Sequence, residues 1–154
     1  MSREGEIATL LLADAEMVTL TPGGIYTDET LGVEGIRRGE GSPTEDAFDV
    51  DGYLKTCVLV KQRSEVPYGD IRVSKEKITA TSQVVEIYFY EFRGHSEIDA
   101  AKDRAYEILE NERLDSSYPI MWVGETAHVP DVGPVMNSTT LRQDWQIISI
   151  KKPT

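Results

Sequence analysis

The sequence lacks most of the residues from which disulfide frameworks, metal centres and membrane spans are built. It has one cysteine, Cys57, and two histidines among 154 residues. A single cysteine excludes an internal disulfide framework and is compatible with a reducing cytoplasm. Because Cys57 lies in an apolar segment that predicts a strand, we expect it to be a small buried apolar residue. No apolar run approaches the ~20 residues of a membrane-spanning helix, and we expect no membrane partner.

Basic residues are also scarce: 16 lysines and arginines stand against 27 aspartates and glutamates, and the formal net charge is −11. Binding to nucleic-acid backbones or anionic membranes requires clustered lysine and arginine, so this balance disfavours both kinds of partner. Two interpretations of the charge stay open. It can simply keep the protein in solution, or it can form a surface that repels polyanions, as a channel that conducts DNA would require.

Motifs for catalysis and metal binding are absent as well. The sequence has no Gly-x-Ser-x-Gly elbow and no His-Glu-x-x-His motif, and His95 and His128 are isolated from each other. An EF-hand loop beginning at Asp49 would need glycine and glutamate at its sixth and twelfth positions, which hold Leu54 and Val60. We therefore predict no catalytic residues, no cofactor and no metal site, and expect an interaction protein more than an enzyme.

Hydrophobic periodicity predicts both helices and strands. Residues 84–92 are β-branched and aromatic and predict a strand, followed by a helix in which Ser96 and Asp99 match a capping box. Residues 3–20 carry apolar side chains at helical spacing. Residues 25–51 have no period and predict a long loop. Further strands are predicted at residues 53–62, 71–73, 77–79, 119–128 and 142–152.

These elements predict a single α+β domain over residues 1–154, with the loop at residues 25–51 within it. We expect a mainly antiparallel sheet of four or more strands, two helices packed on one face, and long loops. Alternation along the aromatic strand places Tyr88, Tyr90 and Phe92 on one face of the sheet and Phe89 on the other.

Four segments of the chain carry a resemblance to a known family. They are LTPGGIY at residues 20–26, FRG at residues 92–94, EIDAA at residues 97–101 and RQDWQI at residues 142–147. In these segments, and in the order of its helices and strands, the chain resembles the tail terminator and tail completion (neck) proteins of long-tailed bacteriophages.

The resemblance implies a structural virion protein that forms a homo-oligomeric ring, usually a hexamer. Such a ring caps the tail tube, stops its polymerisation and joins the tail to the head, while DNA passes through the lumen without sequence-specific binding. The implied partners are the tail tube protein and the head–tail connector or neck proteins. The implied location is the tail or neck of the virion, after assembly in the host cytoplasm.

In such a ring, the long loop and the last strand are the predicted contact elements. The predicted interface residues are Tyr26, Ile36, Phe48 and Trp145. Aromatic residues are enriched at subunit contacts, and a terminal strand is often an unpaired edge of its sheet.

Two alternatives stay open on the sequence alone. A head–tail stopper or another neck connector subunit would also be a small oligomerising module. A small-ligand-binding domain or an enzyme would instead need a pocket with converging polar groups, for which His95, Tyr90 and Glu125 are the nearest candidates.

Overall fold

A five-stranded sheet forms the centre of the fold. The structure is a computed structural model that describes residues 2–32, 35–39, 41–67, 79–127 and 138–151. The strands are β1 (Ile25–Thr27), β2 (Cys57–Pro67), β3 (Thr79–Phe92), β4 (Met121–Ala127) and β5 (Ser138–Lys151). The helices are α1 (Arg3–Leu12), α2 (Ala15–Leu20), α3 (Asp28–Leu31) and α4 (Ser96–Leu109), and a 3-10 turn covers Glu45–Ala47.

The strands lie side by side in the order β1-β2-β3-β5-β4. β1 runs parallel to β2, and every other neighbouring pair in this order is antiparallel. The predicted α+β class with a mainly antiparallel sheet is therefore confirmed. The last strand of the chain, β5, is inserted between β3 and β4, so it is an interior strand and β4 lies at the edge.

The strand boundaries differ from those predicted, mostly because the strands are longer. β2 ends at Pro67, β3 already begins at Thr79, and β5 begins at Ser138. The strand predicted at residues 71–73 lies outside the described residues. So does most of the strand predicted at residues 77–79.

The first predicted helix is wrong as a single element, because residues 3–20 form two helices. Asp14 separates them: its carboxylate accepts a hydrogen bond of 2.8 Å from the backbone N–H of Met17 and caps α2. The same carboxylate accepts two hydrogen bonds from Arg104 of α4, at 3.1 and 2.6 Å. The break therefore lies at the one acidic residue in the apolar stripe of this segment.

The helix α4 begins at Ser96, but the predicted capping box is wrong. The N-cap residue is His95, whose side chain makes no capping hydrogen bond. Instead, Glu91 at the end of β3 accepts hydrogen bonds of 3.2 Å from the backbone N–H groups of Glu97 and Ile98. A carboxylate on the preceding strand thus satisfies two of the donors that every helix leaves free at its N-terminus.

The helices α1, α2 and α4 pack on one face of the sheet, which confirms the predicted packing of helices on one face. Trp145, at the middle of β5, is fully buried in this core. The helix residues of the core are Ile7, Ala8, Leu11, Met17, Ile98, Ala101, Ala105 and Leu109, and its strand residues are Val58, Val60, Val85, Ile87, Phe89, Leu141, Trp145 and Ile147.

The predicted long loop is wrong in part, because residues 25–51 contain β1, α3 and the 3-10 turn. Leu31, Ile36 and Ala47 from this segment pack on the second face of the sheet. Their partners include Cys57, Leu59, Tyr88 and Tyr90. Tyr88 and Tyr90 thus face the second side while Phe89 faces the helices, which confirms the alternation predicted for β3.

Candidate assembly surface

β4 and Tyr118, three residues before it, expose four large apolar side chains. Their exposed fractions are 52% for Tyr118, 41% for Met121, 46% for Trp122 and 55% for Val123. β4 pairs with β5 on one side, and within the described residues no strand pairs with its other side. We call these four residues the β4 edge patch. Free backbone groups and exposed apolar side chains therefore occur together at this edge.

The patch begins before β4 itself, because the preceding residues already follow β5. Ser117 forms an isolated antiparallel bridge with Ser149, and the N–H of Tyr118 donates to the carbonyl of Ile148 at 2.9 Å. Ile120 points inward and is almost fully buried. Arg113 forms a bridge with Pro119, and the N–H of Ile120 donates to the carbonyl of Glu112 at 2.7 Å, so the edge without a described partner strand is β4 itself.

Aromatic contacts fix the orientation of Trp122 from beneath. The register places Trp122 opposite Trp145 on β5. Tyr106 of α4 contacts both indoles, with ring centroids 5.9 Å from Trp122 and 5.8 Å from Trp145. Since Trp145 is part of the core, this chain of rings connects the core to the surface, and the exposed part of Trp122 is held in place.

A register shift aims Val123 away from the subunit. The pairing of β4 with β5 is irregular between Trp122 and Gly124, which leaves Val123 without a Cα partner. Such a bulge twists a strand and redirects one side chain. Val123 is the most exposed residue of the β4 edge patch.

An ion pair ties β4 to the helix layer beside the patch. Lys102 of α4 contacts Glu125 of β4 at 2.8 Å. The hydrogen bond to Glu125 raises the pKa of Lys102 above its ordinary value, so the lysine stays charged. β4 is thus held by β5 through its backbone and by α4 through Glu125, although no described strand pairs with its outer edge.

The opposite edge of the sheet is built differently. The short strand β1 pairs with Val58–Val60 only, and residues 61–67 continue beyond it. Glu4 of α1 accepts a hydrogen bond of 3.2 Å from the outward N–H of Gln62. This stretch also contains Lys61, Arg63 and Pro67, residue types that natural proteins use to protect free edges. It still exposes one apolar side chain, Val66, at 51%.

The second face of the sheet carries a charge-balanced polar group between the two edges. Glu86, which is buried, contacts Arg63 at 3.3 Å and accepts a hydrogen bond from the hydroxyl of Tyr88. Burial, followed by the bond to Glu86, raises the pKa of Tyr88 to about 12. Arg142 and Asp144 pair on the neighbouring strand at 3.0 Å. Two cations and two anions cancel here, so this group offers no basic track for a nucleic acid.

The predicted interface residues lie mainly inside the subunit. Trp145 is fully buried, and Ile36 is buried on the second face with only 2% exposed. Phe48 is half-buried against the same cluster. Tyr26 is also half-buried, and its hydroxyl donates to the carbonyl of Gly23 at 2.7 Å. Burial therefore leaves Trp145 and Ile36 little surface for a direct contact with another subunit.

The residues suggested for a ligand pocket do not converge. Tyr90 is buried on the second face, whereas Glu125 pairs with α4 on the first face. His95 is exposed at the start of α4. Within the described residues, no group of three or more histidine, cysteine, aspartate or glutamate side chains is arranged to hold a metal ion.

A polar cleft of about 380 Å³ lies elsewhere, lined by the start of α1, by residues 115–116 and by side chains of β2, β3 and β5. Its arginine, Arg3, donates to Gln83 at 2.9 Å and to Ser149 at 2.7 Å, and pairs with Glu6 at 2.8 Å. The cationic group is therefore already occupied by the chain's own side chains.

Among the helices in the described ranges, none is both long and apolar enough to cross a bilayer.

Comparison with known proteins finds a similar fold but no sequence match. No protein-family model matches the chain, and a search of curated proteins finds no match. The chain is similar to a chain in the structure of the virion of a native gene transfer agent (GTA) particle, with a TM-score of 0.60 and 11% sequence identity. The match covers 97% of this chain and 96% of that chain. At this identity the likeness shows a shared fold, which extends almost from end to end of both chains.

Proposed function

We propose that this chain is a structural protein of a phage-like virion, and that it is the tail terminator of that particle. In this role, copies of the chain form a ring that caps the tail tube, stops its growth and joins it to the neck. The chain acts through its contacts with other subunits and performs no catalysis.

The observation that carries the proposal is the end-to-end likeness to a chain of a virion particle. Because 97% of this chain and 96% of that chain are matched, the common part is the whole fold and not one widespread motif. The four segments that resemble tail terminators support the specific role. They lie at the end of α2 with β1, at the end of β3, in α4 and in β5, so they span the fold.

The surface of the subunit also supports a role in assembly. Exposed aromatic and aliphatic side chains at a free sheet edge are typical of subunit contacts. The net charge of −11 suits a ring around a DNA lumen, because a negative wall does not hold a passing polyanion.

The proposal is tested by deleting the gene for this chain in the source of the particles and imaging what is produced. We expect tails of uncontrolled length that are not joined to heads, because nothing stops the polymerisation of the tube. Expression of the wild-type chain from a plasmid should restore tails of uniform length. Mass spectrometry of purified wild-type particles should detect the chain.

The alternative roles give different results in the same experiment. Deletion of a head–tail stopper or another neck connector leaves tails of normal length that are separate from the heads. Particles of normal structure after deletion, together with absence of the chain from purified virions, would contradict a structural role altogether. A metabolite bound to the purified chain in native mass spectrometry would then favour the ligand-binding class.

A further inference from the structure

We propose that copies of this chain join edge to edge, with the β4 edge patch of one copy docked on the outer edge of β2, residues 61–67, of the next copy. The inference rests on the proposed function only for the ring as the final product. The contact itself is a property of the isolated chain and can be tested separately.

The two edges of the sheet are different, which is what a ring requires. A two-fold dimer uses the same patch on both copies, whereas a head-to-tail contact uses two different patches and forms a ring where its rotation closes. β4 and the part of β2 that extends beyond β1 lie on opposite sides of the sheet and form such a pair. β4 has seven residues, and β2 continues for seven residues beyond its pairing with β1.

The apolar surface at β4 is large enough to form the centre of a stable contact. Fully exposed large side chains present on the order of 150–250 Å² each, so the four exposed fractions leave roughly 400 Å² uncovered. A standard interface buries about 800 Å² on each partner, with an apolar centre and a polar rim. The β4 edge patch therefore supplies about half of one side, and Val66 supplies an apolar contact on the other.

The charged residues of the two edges have opposite net sign, although the chain as a whole is strongly negative. β4 contains one charged residue, Glu125, whereas residues 61–67 contain Lys61, Arg63 and Glu65. Within the subunit Lys61 pairs with Asp28 at 3.7 Å and Arg63 with Glu86 at 3.3 Å, but their side chains remain 34% and 47% exposed. Between two copies that each carry −11, this local match favours one mutual orientation over others.

The backbone at the β2 edge limits how far a new strand can pair. The outward N–H of Gln62 is already held by Glu4, and Pro67 has no N–H to donate. The pairing would thus be centred between these two residues. This is the same part of β2 that carries Arg63 and the exposed side chain of Val66.

Two single variants and a matched control test the contact with purified protein. Val123→Lys places a cation on the β4 edge against the basic residues of the β2 edge, and Val66→Glu places an anion on the β2 edge against Glu125. The control is Val50→Lys, since Val50 is fully exposed and belongs to neither β2 nor β4. Circular dichroism and thermal unfolding establish that all three variants are folded.

Native mass spectrometry over a concentration series measures self-association. We expect wild type and Val50→Lys to form the same oligomers, and each edge variant to weaken association by about tenfold or more. An equimolar mixture of Val123→Lys and Val66→Glu should associate again, because each variant still presents the edge that the other lacks. Only a head-to-tail contact gives this recovery.

Fluorescence quenching by acrylamide gives a second, independent measurement. The chain has two tryptophans, and Trp145 is buried in the subunit, so quenching reports on Trp122. Quenching should fall as wild type associates, and should stay high for Val123→Lys. Association of Val66→Glu at the wild-type level, or a mixture that remains monomeric, would overturn the head-to-tail contact.

A wild-type chain that stays monomeric throughout the series, with unchanged quenching, would overturn the inference as well. That result would leave the proposed function intact if the chain is found in virions and its deletion gives tails of uncontrolled length. Conversely, edge-to-edge oligomers of a chain that is absent from virions would overturn the function and keep the contact.

Discussion

Replacing Glu91 should destabilise the fold more than replacing any ordinary surface glutamate. Glu91 is 6% exposed at the end of β3, and its carboxylate accepts hydrogen bonds from the N–H groups of Glu97 and Ile98. Gly94 permits this arrangement, because a Cβ at that position would lie 2.8 Å from a carboxylate oxygen of Glu91. The perturbations of interest are Glu91→Ala, which removes the acceptor, and Glu91→Gln, which keeps an acceptor but removes the charge.

The magnitude follows from the two bonds and the position of the charge. Loss of a capping side chain costs about 1 kcal/mol and at most about 2 kcal/mol. A negative charge at a helix N-terminus contributes a further ~0.3–1 kcal/mol. We therefore expect the free energy of unfolding to fall by about 2 kcal/mol for Glu91→Ala and by about 1 kcal/mol for Glu91→Gln.

Urea unfolding followed by far-UV circular dichroism measures both changes in the free energy of unfolding, and thermal unfolding followed in the same way measures Tm. For a chain of this size, 1 kcal/mol corresponds to about 2–4 °C in Tm, so Glu91→Ala should melt about 4–8 °C below wild type. Glu112→Gln is the matched control, because Glu112 is exposed just beyond α4, and its effect should stay within about 0.5 kcal/mol. A Glu91→Ala variant as stable as this control would refute the capping role.

Three further predictions concern other contacts of the fold. Arg104, which hydrogen-bonds Asp14, holds the pKa of that carboxyl below its ordinary value. The ionised Asp14 therefore stabilises the fold above about pH 4, and this stabilisation is lost as the pH falls further. Asp14→Asn should flatten this part of the stability–pH curve, and an unchanged slope would contradict this prediction. Gly23→Ala should destabilise the β1–β2 junction by about 1–3 kcal/mol, since a Cβ there would lie 2.7 Å from the carbonyl oxygen of Lys55; Gly124→Ala, where a Cβ meets nothing within 4 Å, is the control in the same urea assay. Burial raises the pKa of the Cys57 thiol to about 12, so a thiol reagent should label Cys57 only at the rate of unfolding, and rapid labelling of the native protein would count against this placement.

The sequence predicts those parts of the fold that are decided by local pattern. The alternation of Tyr88, Phe89 and Tyr90 assigns the two faces of β3 correctly, because residues on the same face of a strand are two positions apart in the sequence. In α4 the apolar residues Ile98, Ala101, Ala105 and Leu109 recur at helical spacing, and all four are buried. In both cases the signal lies within a window of a few residues.

The features that the sequence does not predict depend on contacts between distant residues. The cap of α4 comes from Glu91 on the preceding strand, so a search for Ser or Asp beside the helix start finds the wrong residues. The strand β1 has three residues, too few to show a period, and the apolar residues after it are spaced irregularly because they cover a sheet face from a loop.

The position of Trp145 in the sheet is not predicted for a related reason. A terminal strand is often an edge, which led to Trp145 as the exposed aromatic residue. In the structure β5 enters the sheet between β3 and β4, and Trp145 becomes the centre of the core. The edge strand is instead β4, which carries the exposed side chains of Trp122 and Val123. The apolar run of β4 can be recognised in the sequence, but the strand order that places this run at an edge of the sheet cannot.

This order of strands also explains why the two edges of the sheet need different treatment. An open edge is a template for pairing with other chains, and natural proteins reduce this risk with lysine, proline, bulges or short strands. The β2 edge uses several of these devices, including Pro67 and the contact between Glu4 and Gln62. The β4 edge has a bulge, but the bulge exposes Val123 beside Trp122 and so adds apolar surface at the position where protection is expected. β4 has no partner strand on its outer side among the described residues, and its Trp122 is fixed from beneath, so this edge is suited to a specific partner. The devices on the β2 edge leave only the stretch between Gln62 and Pro67 for a second copy, which limits where it can dock.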